Sequence, residues 1–192
     1  MKKKIRSWKS IALICFFLMA FAAPPAVWAD MKPRMTDVLV TSGSDQVLLY
    51  ARLVDCFKPD MEKSIMAGVS AVFTSHMDVY QERSYLWNRH IVGRELKRTI
   101  KYDNLKKVFS ITNNGSTQPA ILPDFASARK AMEDLNGIAV IPISYLLRGN
   151  TYYVETKVKI DKVRLPFSME HVLFFVSWWD FETPLYKIRF SY

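Results

Sequence analysis

The sequence predicts an α+β fold dominated by strand: an antiparallel β-sandwich or strongly curved sheet of about eight strands with two or three short helices. Three observations carry this. Two long stretches repeat with a period of two, which is how a strand with one buried and one wet face reads. The connections between strands are too short for repeated crossover helices, so neighbouring strands pair antiparallel. The helical stretches are brief and bounded by capping residues and glycine, so helices serve the sheets as covers.

The longest alternation fixes the centre. From Val69 to Tyr80, Val69, Ala71, Phe73, Ser75, Met77 and Val79 share one face, and Ser70, Val72, Thr74, His76, Asp78 and Tyr80 the other. At about 3.3 Å per residue it crosses about 40 Å, so other strands are expected to pair along it. Before it lie strands at 37–41 and 46–54 around the turn Ser42-Gly43-Ser44-Asp45. A helix opens at Pro59-Asp60, with Asp60 as its expected cap and Gly68 as its stop. After the polar and aromatic connection 81–90, a strand from Arg94 is expected to turn at Asp103-Asn104 and return over 105–112. Asp124 caps a second helix with the stripe Phe125, Ala128, Met132 and Leu135, stopped at Gly137. A strand over 138–143 ends at Pro142, which places it near a sheet edge.

In the second clear alternation, Tyr152, Val154, Thr156, Val158 and Ile160 face in, while Tyr153, Glu155, Lys157, Lys159 and Asp161 face out. Leu165-Pro166 opens a third helical turn. Residues 184–192 close the chain as a strand with Tyr186, Ile188, Phe190 and Tyr192 aligned.

The chain has 192 residues, half of them hydrophobic, which suits one globular domain over 30–192. Its net charge of +9 does not imply a nucleic-acid partner. Residues 1–29 hold five bases and no acid, leaving 22 bases against 18 acids for the rest. That segment has a basic start, an apolar run from Ile11 to Ala23, and Val27-Trp28-Ala29 before Asp30. It reads as a secretory signal peptide cleaved after Ala29. An uncleaved N-terminal anchor is the alternative, since Ile11 to Ala29 approaches the length of a spanning helix despite Pro24 and Pro25. Cleavage leaves Cys56 as the lone cysteine, so no internal disulfide supports the exported domain. The expected location is the periplasm or cell envelope, away from nucleic acid.

Several stretches together resemble a known family. They are Asp60 to Gly68, Tyr85-Leu86-Trp87-Asn88, Lys101-Tyr102-Asp103, the helix at 124–135, Tyr152-Tyr153-Val154, Leu165-Pro166 and Trp178 to Pro184. Their order resembles the exported bacterial family called domain of unknown function 4390. The resemblance implies an envelope protein of proteobacteria, sometimes encoded beside a membrane sensor kinase. It supplies no catalytic residues.

No catalytic, cofactor or metal pattern stands out. His76, His90 and His171 lack metal-ligand spacing, no nucleophile elbow surrounds a serine, and no glycine-rich phosphate cradle occurs. Asp180 and Glu182 would project to one side of a strand and are expected to pair with Lys187 or Arg189. Cys56 reads as a small side chain at a strand end. His76 and Asp78, with Tyr80, share a polar face that offers a small-ligand or hydrolase site as the alternative to a binding module.

Two surfaces are candidates for contact. Arg94, Lys97, Arg98, Lys101, Lys106 and Lys107 form a basic run suited to anionic headgroups or an acidic partner. The reading favoured for the same residues is a solvated hairpin whose edge lysines discourage strand-to-strand aggregation. The stretch from Leu165 to Trp179 is expected to cover the open end of the sandwich as core. Where part of it stays exposed, Phe174, Phe175, Trp178 and Trp179, joined by Trp87 or Tyr153, form an aromatic patch suited to a protein partner or peripheral membrane contact. The sequence does not set an oligomeric state.

Overall fold

The computed structural model describes residues 32–114, 116, 118–161 and 181–192. Among these, ten strands form two antiparallel sheets. β1 (Arg34–Ser42), β2 (Gln46–Val54) and β7 (Asp134–Pro142) make a three-stranded sheet in the order β1-β2-β7. The larger, seven-stranded sheet contains β3 (Ala71–Gln81), β4 (Arg89–Asp103), β5 (Val108–Asn113), β6 (Ala120–Leu122), β8 (Thr151–Asp161), β9 (Phe181–Glu182) and β10 (Tyr186–Ser191). Helices α1 (Pro59–Met66) and α2 (Phe125–Glu133) lie where the chain passes between the sheets. The expected mainly-β α+β sandwich is the observed fold, with β6 and β9 added as strands of three and two residues.

The long alternating stretch is the central strand of the larger sheet. β3 pairs with β4 from Ala71↔Ile100 to Gln81↔Arg89, and with β8 from Val72↔Asp161 to Gln81↔Tyr152. Its odd-numbered side chains face the smaller sheet: Ala71, Phe73, Met77 and Val79 are all buried. β2 answers with Val47, Leu49, Ala51 and Leu53, none more than 3% exposed. The apolar layer has two neighbouring clusters. One gathers Phe73, Leu53, Ile100, Phe109 and Ile160 with Met61 and Ile65 of α1 and Met132 of α2. The other gathers Met77, Val79, Leu49, Ile141, Leu146, Tyr152 and Val154. Val38 and Ile138 touch both, so the clusters form one continuous layer.

The smaller sheet bends to follow that layer. Asp37 and Val38 together oppose Ala51, and Asn136 and Gly137 together oppose Tyr50. Both neighbours of β2 thus carry an extra residue at adjacent rungs, with Asp37 at φ 54° and Gly137 at φ 67°. Paired bulges increase the local twist and curve the sheet.

Several expected boundaries move for identifiable reasons. Lys58, not Asp60, is the N-cap of α1, because Pro59 takes the first helical position where a missing N–H costs nothing. The stop at Gly68 stands: its φ of 94° lets its N–H reach the Ile65 carbonyl while the Val69 N–H reaches that of Ser64. Asp124 does cap α2, accepting the Ser127 N–H at 2.8 Å. That helix ends at Glu133 and runs directly into β7, so Gly137 serves a strand bulge and not a helix end. The turn after β4 holds four residues, not two. Asp103 Oδ1 accepts the N–H groups of Leu105 and Lys106 at 2.9 and 3.0 Å, and Lys107 sits at φ 56°. β5 therefore starts at Val108 and Leu105 is left 95% exposed.

β8 keeps a complete outer edge through a device that alternation does not reveal. β10 pairs with residues 151–156 and β9 with 159–160. Between them Thr183, itself buried, accepts the Val158 N–H on its hydroxyl at 3.0 Å and donates its own N–H to the Val158 carbonyl. The third helical turn expected at Leu165-Pro166 lies outside the described residues.

Candidate functional site

The solvent face of the larger sheet is built from rungs crossing β4, β3 and β8. One rung aligns Glu95, His76 and Lys157; the next aligns Gly93, Asp78 and Glu155. His76 Nδ1 lies 3.2 Å from Glu95 Oε1, and Lys157 Nζ 3.1 Å from Glu182 Oε2. Asp78 Oδ1 meets His90 Nε2 at 2.9 Å. His76 and Asp78 are therefore each engaged across the strand gap by a different residue of β4, and do not converge on one centre. Gly93 makes the second pair possible: a Cβ there would stand 2.7 Å from the Asp78 carboxylate. Glu182 pairs with Lys157, while Lys187 lies 3.9 Å from Glu155 and Arg189 2.7 Å from Glu82. Among the described residues no group of three metal-ligating side chains is assembled.

Tyr153 departs from its expected exposure. It points outward from β8, yet it is 4% exposed because its neighbours cover it. Tyr80 stacks on its ring at 5.0 Å, Lys187 Nζ sits 3.5 Å from its centroid, and Asn88 Nδ2 donates to its hydroxyl at 3.1 Å. The Tyr80 phenol is pushed above its ordinary pKa by desolvation first, then by the carboxylates of Asp78 and Glu155. Tyr153 thus fixes Asn88 at the base of the β3–β4 loop and is not itself a docking surface.

The basic run divides. Lys97 and Lys101 face solvent on β4, and Lys106 and Lys107 lie in the four-residue turn. Arg94 and Arg98 fall on the opposite face of β4 and reach the smaller layer. Arg94 Nη1 donates to the Ala139 carbonyl at 3.0 Å, and Arg98 Nη1 to the carbonyls of Ala131 and Asp134 at 3.1 and 2.5 Å. Burial lowers the pKa of Arg98, opposed by nearby Asp134. These two arginines tie the sheets together. The parity of β4 was the signal, since Arg98 lies between Leu96 and Ile100 on the inward face.

The sandwich end where β3 meets β4 carries a different surface. Tyr85, Leu86 and Trp87 are 98%, 68% and 94% exposed at the tip of the connecting loop. The β7–β8 connection reaches the same end, since Gln81 Nε2 donates to Asn150 Oδ1 at 3.1 Å and Glu82 N–H to the Thr151 carbonyl at 2.9 Å. There Leu146 turns into the core while Tyr145 and Leu147 remain outside. The Tyr152 hydroxyl, beneath, receives the Leu147 N–H at 2.8 Å. Between the loops lies a polar concavity of about 490 Å3 lined by Glu82, Arg83, Ser84, Asn88, Asn150 and Arg189. Of the expected aromatic patch, Trp87 stands at this end; Phe174, Phe175, Trp178 and Trp179 lie outside the described residues. Sequence reading missed Tyr145 and Leu147, whose exposure follows from the single inward side chain between them.

Two antiparallel sheets over one core, with internally paired charges on the broad face and apolar side chains on loops at one end, define an all-antiparallel sandwich whose distinctive surface is its loop end. The family model for the domain of unknown function DUF4390 matches residues 32–189, and the chain belongs to that family. No curated protein and no solved structure matches the chain.

Proposed function

We propose that this chain is an exported interaction module of the cell envelope that works without catalysis and docks through its loop end. The observation that carries the reading is the exposure of Leu86 and Trp87 above a base fixed by the Asn88–Tyr153 and Gln81–Asn150 contacts. Large apolar side chains grouped at an exposed tip mark contact sites in soluble domains. The basic, apolar segment at 1–29 supports export, and the neighbourhood implied by the family resemblance makes a membrane sensor kinase the partner to test first.

A photoreactive amino acid at Ser84, exposed beside the tip, tests the reading in intact cells; the same probe at Lys107, in the β4–β5 turn, is the control. A discrete membrane-protein adduct from Ser84 alone is expected. Bulk periplasmic proteins from both positions would reject the module.

The competing small-ligand or hydrolase reading is favoured by one contact, the Asp78–His90 pair beside Tyr80. It shifts the key histidine from His76 to His90. An Asp78→Ala, His90→Ala double variant that folds yet loses function in cells would favour it over docking.

A further inference from the structure

We propose that the loop end seats on an anionic phospholipid bilayer, with Tyr85, Leu86, Trp87, Tyr145 and Leu147 entering the headgroup region and Arg83, Arg89 and Arg148 meeting lipid phosphates. This rests on the docking reading above and names the surface that the tip meets.

Chemistry and placement converge here. Tyr and Trp are the residues whose rings suit the boundary between water and hydrocarbon, and leucine at the tip supplies apolar depth. All five apolar side chains are more than 60% exposed, and they come from two loops fastened to each other at their bases. Arg83, Arg89 and Arg148 are exposed and form no ion pair with a described residue. Of the nearby acids, Glu82 is paired with Arg189 and Asp78 contacts His90, while Asp45, beside Ile143, and the main-chain carboxylate of Tyr192, which accepts the Gly149 N–H, also lie at this end. Three arginines without an ion-pair partner among the described residues thus flank the apolar tips against these two carboxylates, and they are the groups that would meet a phosphodiester surface.

The shape favours lipid over a protein groove. The apolar groups stand on two projecting loops, and the space between them is lined by polar side chains that suit hydrated headgroups. The loops need little ordering on contact, since Leu146, Tyr152 and Asn88 already hold them.

The test uses the full chain in a Cys15→Ser background, with an environment-sensitive nitrobenzoxadiazole label on Leu86→Cys or, as a control, Leu105→Cys. Cys56 is buried with its pKa pushed up to about 12, so it does not compete for label. Vesicles are phosphatidylcholine alone, or phosphatidylcholine and phosphatidylglycerol in equal amounts. The label at 86 is expected to brighten and shift blue only with the anionic vesicles, and the label at 105 to stay unchanged. Arg83→Glu with Arg148→Glu is expected to raise the lipid needed for half the shift roughly tenfold or more. Both labelled chains should unfold at the same urea concentration as the unlabelled one. No shift at 86, an equal shift at 86 and 105, or a shift indifferent to lipid charge would overturn the proposal. If the Ser84 probe still traps a discrete protein in that case, the module reading survives and its tip meets protein; if both fail, the docking reading falls as well.

Discussion

Cys56 and Arg98 show how one position can hold its neighbours without any part in chemistry. The Cys56 thiol is 1% exposed and contacts the Val54 carbonyl. Burial, then Glu133 and Asp55, push its pKa from 9.0 to about 12. A raised folded value means the neutral thiol stabilises the fold below pH 9.0, and that this contribution drains away as pH climbs from 9.0 toward 12. Urea midpoints of the wild type and Cys56→Ala, measured across that window, should therefore converge as pH rises. Thiol reagents at pH 8 should leave Cys56 unmodified in the folded chain. Arg98→Met removes a charged donor from two carbonyls at the junction of α2 and β7, and should destabilise by about 2–3 kcal/mol in urea unfolding. Arg98 entered the basic run because six cations lie close in sequence; it left because strand parity overrides sequence proximity.

The caps and turns were the most legible features when a side chain completes its own local structure, and least legible when distant strands decide. Asp124 was readable because its carboxylate satisfies Ser127 three residues on. The β4–β5 turn was misread because Asp103-Asn104 suits a two-residue loop, whereas the Asp103 carboxylate organises four. Both carboxylates are held below the ordinary range, chiefly by backbone N–H donors, so their stabilisation is complete above the unfolded value near pH ~4 and fades as pH drops. Asp124→Ala should lower the thermal midpoint at neutral pH and lose that difference in acid, as circular dichroism melts would show. Gly68→Ala forces a Cβ into φ 94° and to 3.2 Å from Asn104 Nδ2, and should cost about 1–2 kcal/mol. Strand pairing partners, the bulges beside β2 and the Thr183 bridge depend on contacts across tens of residues, which alternation within one strand does not encode.

Across the sandwich, the inward faces of β2, β3 and β8 were legible because a buried face must be apolar at every second residue. The loop end was legible only in part: Trp87 is conspicuous in any reading, but Tyr145 and Leu147 join it through the folding of a separate connection. Because both clusters share Val38 and Ile138, residues 32–161 and 181–192 should unfold as a unit. Phe73→Ala should remove about 3–5 kcal/mol and shift the near-ultraviolet aromatic and far-ultraviolet backbone dichroism transitions together. By contrast Leu86→Ser with Trp87→Ser should move stability by no more than about 0.5 kcal/mol.

The pairing of β8 with β9 sets Ile160 opposite Phe181 and Lys159 opposite Glu182. Whatever chain joins them therefore departs from and rejoins the sheet at a single doorway, one strand spacing wide. A short Asn-Gly reversal would thus suffice to join the two strands as an ordinary hairpin, because their paired ends already stand at hairpin distance.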